Sequence, residues 1–132
     1  MKVSDVLFRA SNIARTGWTR LAYRRQFETG LVSVYDKNVY PTCYCALGAI
    51  DAAVGQIKQL DMKPRFNMVA QATRCFATYL SEHSMLREKH RSTEDDEEVT
   101  MWNDALPLND ESRHHVAYHL CQAGLEAQAR GE

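Results

Sequence analysis

Cys45-Ala46-Leu47-Gly48-Ala49-Ile50-Asp51-Ala52-Ala53-Val54-Gly55-Gln56-Ile57 is the stretch on which the fold turns. Leu47, Ile50, Val54 and Ile57 recur at steps of three and four, the spacing of one helical face. Small residues fill the positions between them. Gly48 and Gly55 each cost about 1 kcal/mol relative to alanine inside a helix, so close approach of another backbone is the expected compensation. The pattern predicts a central helix from about Cys43 or Tyr44 to Leu60.

Toward the amino terminus, Val6, Leu7, Ala10, Ile13 and Ala14 predict a helix over about 4–15, with Ser4 capping the amide of Leu7 and Gly17 as the stop. From Trp18 to Tyr40 the residues become aromatic and β-branched around Glu28-Thr29-Gly30, which reads as a small antiparallel β-hairpin. Asp36-Lys37-Asn38 reads as a second turn. Toward the carboxyl terminus, Asp61-Met62-Lys63-Pro64 reads as a break, followed by a helix over about 65–83 with Val69, Ala72, Phe76, Tyr79 and Leu80 on one face. Residues 84–98 are polar and end in Glu94-Asp95-Asp96-Glu97-Glu98, read as a charged surface loop. Val99 to Trp102 re-enter the core. A last helix begins near Asn109 or Asp110 and turns Val116, Leu120, Ala123 and Ala127 inward. The expected class is mainly α (α+β), about four helices and a hairpin, in a single domain over 1–132.

The 132 residues carry 16 basic and 17 acidic side chains, a net charge of −1. That sum argues against a globally basic nucleic-acid binder, yet the charges are segregated. Residues 1–25 hold Lys2, Arg9, Arg15, Arg20, Arg24 and Arg25 against Asp5 alone, whereas residues 94–111 hold eight acids and no lysine or arginine. Four cysteines at irregular spacing imply free thiols and not a disulfide framework. With no apolar run of spanning length and no signal-peptide pattern at the start, a cytoplasmic protein without membrane contact is expected.

Three short motifs carry a resemblance: Gly17-Trp18-Thr19 after the first helix, Cys45-Ala46-Leu47-Gly48-Ala49-Ile50 opening the central one, and Trp102-Asn103-Asp104 before the last. In order and spacing the chain resembles a family of small proteins of unknown function from actinobacteria and bacteriophages. The resemblance implies a shared small fold and a phage origin, and brings no catalytic residue with it. Tyr44 departs from the tryptophan common at that place, and the charged segment before Glu98 is unusually long.

Candidate chemistry is sparse. Cys45 at a helix start could be a nucleophile, with His115 or His119 as base and Asn103 or Asp104 as the orienting group. A buried, unreactive Cys45 is the preferred reading, because no cysteine-hydrolase signature flanks it. Cys43, Cys45, His115 and His119 could offer four zinc ligands, but one residue between the cysteines is too short for the usual spacing. No metal or other cofactor is therefore expected. Trp102-Asn103-Asp104 reads as a core tryptophan followed by two turn formers bonding the next amides. Arg20, Tyr23, Arg24 and Arg25 form one partner-binding candidate, and Glu94, Asp95, Asp96, Glu97 and Glu98 the other. The preferred expectation is a non-enzymatic phage-type accessory protein that binds a host or defence component through these charged surfaces. The alternatives are a Cys45-dependent hydrolase or transferase, and a protein that binds a nucleotide, nucleic acid or other anionic ligand through the arginines.

Overall fold

The computed structural model describes residues 1–20, 24–26, 30–31, 43–86 and 94–132, with backbone alone at 24–26 and 30–31. It is mainly helical. Helix α1 spans Val3–Thr16, α2 Ala46–Ile57, α3 Met62–Glu82, α4 Asp95–Asp104 and α5 Asp110–Ala129. Short extended segments β1 (Arg24–Gln26), β2 (Gly30–Leu31) and β3 (Cys43–Tyr44) lie between α1 and α2. Their antiparallel register sets Arg25 opposite Leu31 on one side and opposite Cys43 on the other. The turns expected through Glu28-Thr29 and Asp36-Lys37-Asn38 lie outside the described residues, as do residues 21–23 and 87–93.

The most extensive packing joins α1 to α5. Val6, Leu7, Ala10 and Ala14 of α1 and Val116, Leu120 and Ala127 of α5 are fully buried. The valine and leucine side chains each contribute about 1.5–3 kcal/mol by leaving water, and each alanine methyl about 0.8 kcal/mol. Close approach is set by small residues: a Cβ on Gly124 would fall 2.8 Å from the ring of Phe8. Ser11 Oγ donates to the Ala117 carbonyl at 2.6 Å, tying the two helices across the same contact. Helix α2 lies against α1, α3 and α4, with Ala46, Ala49, Ile50, Ala53 and Val54 fully buried. Phe76 and Leu80 of α3, Val99 of α4 and Trp102 complete the core, Phe76 meeting the Trp102 ring edge-on at 5.4 Å.

Five expectations are corrected. The described residues hold five helices, because the acidic run expected as loop is the first turn of α4. Asp95, Asp96, Glu97 and Glu98 complement the free amides and positive end of that helix, so acids that repel in an extended chain favour a helix start. Helix α3 begins at Met62, upstream of Pro64, because proline in a first turn lacks only an N–H that would have had no helical partner. Helix α2 begins later and ends earlier than expected. The Gly55 cleft is filled by a side chain and not a backbone, since a Cβ there would stand 2.7 Å from the Arg65 guanidinium. Ser4 lies inside α1 and its Oγ donates to an oxygen of Glu132 at 3.0 Å, so it caps nothing. The last helix does start at Asp110, and Asn109 caps it by accepting from the Ser112 amide at 2.8 Å. Among the described residues, no helix is long and apolar enough to cross a membrane.

Candidate functional site

Residues from all three short motifs converge on one buried side chain, Asn103. Its Oδ1 accepts from Trp18 Nε1 at 2.7 Å and from the Ala46 amide, the first of α2, at 3.0 Å. Its Nδ2 donates to the Thr19 carbonyl at 3.2 Å and to Asp104 Oδ1 at 3.1 Å. Alongside, Tyr44 donates its amide to the Gly17 carbonyl at 2.9 Å and accepts from the Thr19 amide at 3.1 Å, in a parallel bridge. Asn103 thus joins the end of α1, the start of α2 and α4. This corrects the expectation that Asn103 serves its own following turn: a two-faced amide matches two donors on one side and two acceptors on the other. A fully satisfied buried amide rigidifies a fold, and nothing in these bonds exposes a reacting group.

Cys45 is the N-cap of α2 and is buried; its Sγ accepts from the Gly48 amide at 3.3 Å. Burial outweighs that bond and pushes the thiol up to about 11, with the charge of Asp104 adding in the same direction. The group is a thiol at neutral pH, opposite to the thiolate a nucleophile needs. His119, the candidate base, is buried on α5, where its Nδ1 is hydrogen-bonded to the Tyr79 hydroxyl at 2.7 Å. Burial first, then the neighbouring His115 and His83, lowers its pKa to about 4. Burial likewise raises the Tyr79 hydroxyl to about 12, so it stays protonated at neutral pH. The His115 ring lies 4.5 Å from His119 and 5.8 Å from Trp102. His83 of the α3 end meets Glu126 at 2.7 Å and stacks on Tyr79 at 4.4 Å. These groups form an imidazole and aromatic seam between α3 and α5. Cys43 lies half-buried in β3. Among the described residues, no three His, Cys, Asp or Glu side chains gather so that they could hold a metal ion.

The charged candidates separate. Arg20 is half-buried, and its Nε has no hydrogen-bond partner among the described residues. Tyr23 and the side chains of Arg24 and Arg25 lie outside the description. On the acidic side, Glu94, Asp96 and Glu97 are exposed and Asp95 half-buried, whereas Glu98 turns inward and is buried. Arg74 reaches Asp95 at 3.5 Å while itself 80% exposed, a pair worth well under about 1 kcal/mol.

That acidic helix start borders a feature the sequence reading missed. None of residues 62–71, the outer half of α3, is buried, although this half carries Met62, Phe66, Met68 and Val69. Phe66 is 71% and Met62 88% exposed. The half-helix is held to α2 by Arg65, whose Nε donates to Asp51 Oδ1 and whose Nη2 donates to the Asp51 carbonyl, each at 3.1 Å. Leu47, Phe66, Val69 and Ala70 with Glu94, Asp95 and Asp96 line an open groove of about 650 Å³. The signal was present as Met62, Phe66 and Ala70 at steps of four. A helix start set at 65 left Met62 out of that series.

This is a small helical protein with an internally satisfied junction and an external, acid-rimmed groove. The chain belongs to the family of unknown function DUF6197, which matches residues 1–124. No curated protein and no solved structure matches it.

Proposed function

We propose that the protein is a non-enzymatic binding module that engages another protein through the groove between α3 and the start of α4. The observation that carries this reading is the exposure of Phe66 in a groove it shares with Glu94, Asp95 and Asp96, with Met62 exposed one turn earlier on α3. A helix derives most of its stability from packing an apolar face, and the outer half of α3 presents such a face to solvent. Aromatic anchors ringed by charge are the composition of interface hot spots. The Cys45 thiol, raised to about 11, and His119, lowered to about 4, support the same reading, since so weak a base is poorly matched to take a proton from so weak an acid. The resemblance to phage-borne proteins adds that the partner is a host or defence component.

Affinity purification from the native host, read by mass spectrometry, tests this reading with wild type beside Phe66→Ala and the double variant Asp95→Lys with Asp96→Lys. A partner retained by wild type, lost from both variants and released by salt is the expected result. A partner held equally by all three would move the interface elsewhere, and retention of nothing at low salt would count against the reading itself.

A further inference from the structure

We infer that the occupant of the groove is a cationic amphipathic helix, lying along the outer half of α3 with its basic end against Glu94, Asp95 and Asp96. The inference rests on the binding-module reading and names the chemistry of the partner.

The shape of the surface selects a helix. Met62, Phe66, Ala70 and Thr73 follow one another along α3 at steps of four, four and three, a single ridge about 17 Å long. Ala70 is a low point between Phe66 and Arg74, where a facing ridge of side chains can settle. Leu47 of α2 and Val69, both packed from behind onto the core, form the apolar floor. A helix of about three to four turns would cover this length, inserting apolar side chains at i, i+3 or i+4, and i+7.

The charge selects the partner's sign. Among the described residues, three carboxylates stand at one edge, while the lining cation, Arg74, is largely solvated and loosely paired to Asp95. An incoming lysine or arginine can take over that weak pair with little cost, because an exposed pair held little energy to begin with. An acidic or neutral segment would meet the same carboxylates without compensation. Asn67 and Gln71, which line the groove beside the ridge, are neutral amides, and Lys63 on the same row stands beside Met62, at the opposite end of the ridge from Arg74 and its partner Asp95. An extended strand fits poorly, since the wall is a helix and offers no free backbone edge.

A displayed library of random segments of about 14 residues, selected on the full-length protein at low salt, tests the inference. Selected peptides are expected to place apolar residues at helical spacing with Lys or Arg on one flank. In fluorescence anisotropy they should lose about tenfold in affinity on Phe66→Ala and on Asp95→Lys with Asp96→Lys, and weaken as salt rises. Phe66→Ala should leave the melting temperature unchanged; reversing two acids at the α4 start lowers it modestly, so a native circular dichroism spectrum at the assay temperature is what excludes misfolding of the double variant. Enrichment of acidic or non-helical sequences, binding indifferent to Phe66, or no enrichment at all would overturn the inference. A host protein still captured in a Phe66-dependent way would then leave the binding-module reading standing, whereas failure of both would remove both.

Discussion

At the Asn103 junction three segments far apart in sequence meet, and both ends of one amide are engaged; the outer half of α3 instead leaves Phe66 and Met62 in solvent. The first region gathers residues of the three short sequence motifs, and the outer half of α3 contains none of them. The contrast teaches what those motifs report. Trp18, Ala46 and Asn103 are bound to one another by the requirement that buried donors and acceptors be paired, so their convergence needs no active site to explain it. A groove that binds a partner has no such internal requirement.

The contrast breaks most readily at Asn103. Asn103→Ala would leave the Trp18 indole N–H, the Ala46 amide and the Thr19 carbonyl without their partner, and stability should fall by about 4 kcal/mol in urea unfolding. A loss under about 1 kcal/mol would show that water or a shifted backbone replaces the amide, and the junction would no longer be a structural centre.

The seam between α3 and α5 predicts a second, pH-dependent effect. His119 in the fold is depressed to about 4 from its ordinary 6.5. The unfolded chain therefore takes up a proton near 6.5 that the folded chain refuses until about 4. The stability tied to His119 is fully present above pH 6.5 and is lost as pH falls through that window. Melting temperatures between pH 7.5 and 4.5 should decline more steeply for wild type than for His119→Gln; parallel curves would mean that His119 is not held neutral.

A smaller change sharpens the junction. Trp18→Phe keeps an aromatic ring but removes the donor to Asn103 Oδ1, which retains the Ala46 amide, together with part of the buried indole. The expected cost is about 2 kcal/mol in the same unfolding measurement, and a cost equal to that of Asn103→Ala would assign the junction to the indole alone. Smallest of all, Phe66→Ala should change stability by less than about 0.5 kcal/mol, as fits a side chain that buries little in the free protein. A loss of about 2 kcal/mol would place Phe66 in the core and dissolve the contrast.

Much of the scaffold was legible in the sequence. Helices α1 and α5 follow from apolar residues at steps of three and four, and Asn109 announces the start of α5 by its own side chain. The same reasoning misread the acids of α4, because a run that cannot be buried can still begin a helix whose next turn buries Val99 and Trp102. Cys45 was legible as a buried residue at a helix start, though not as the cap itself because the helix was expected from Cys43 or Tyr44, and its raised pKa follows from that burial. The bonding of Asn103 was not legible: its partner Trp18 lies 85 residues away, and no local pattern links them. The groove was hidden for a different reason. Phe66 and Val69 are apolar at helical spacing, and periodicity alone does not tell a face that meets the core from one that meets solvent.

Native-state hydrogen exchange on the free protein compares the two regions in a single measurement. The Ala46 amide and the Trp18 indole N–H should exchange only through global unfolding, with protection equal to the full stability of the protein, while amides from Phe66 to Ala70 exchange through local opening at far lower free energy. Equal protection in the two regions, or an Ala46 amide that exchanges as fast as the outer half of α3, would contradict the account.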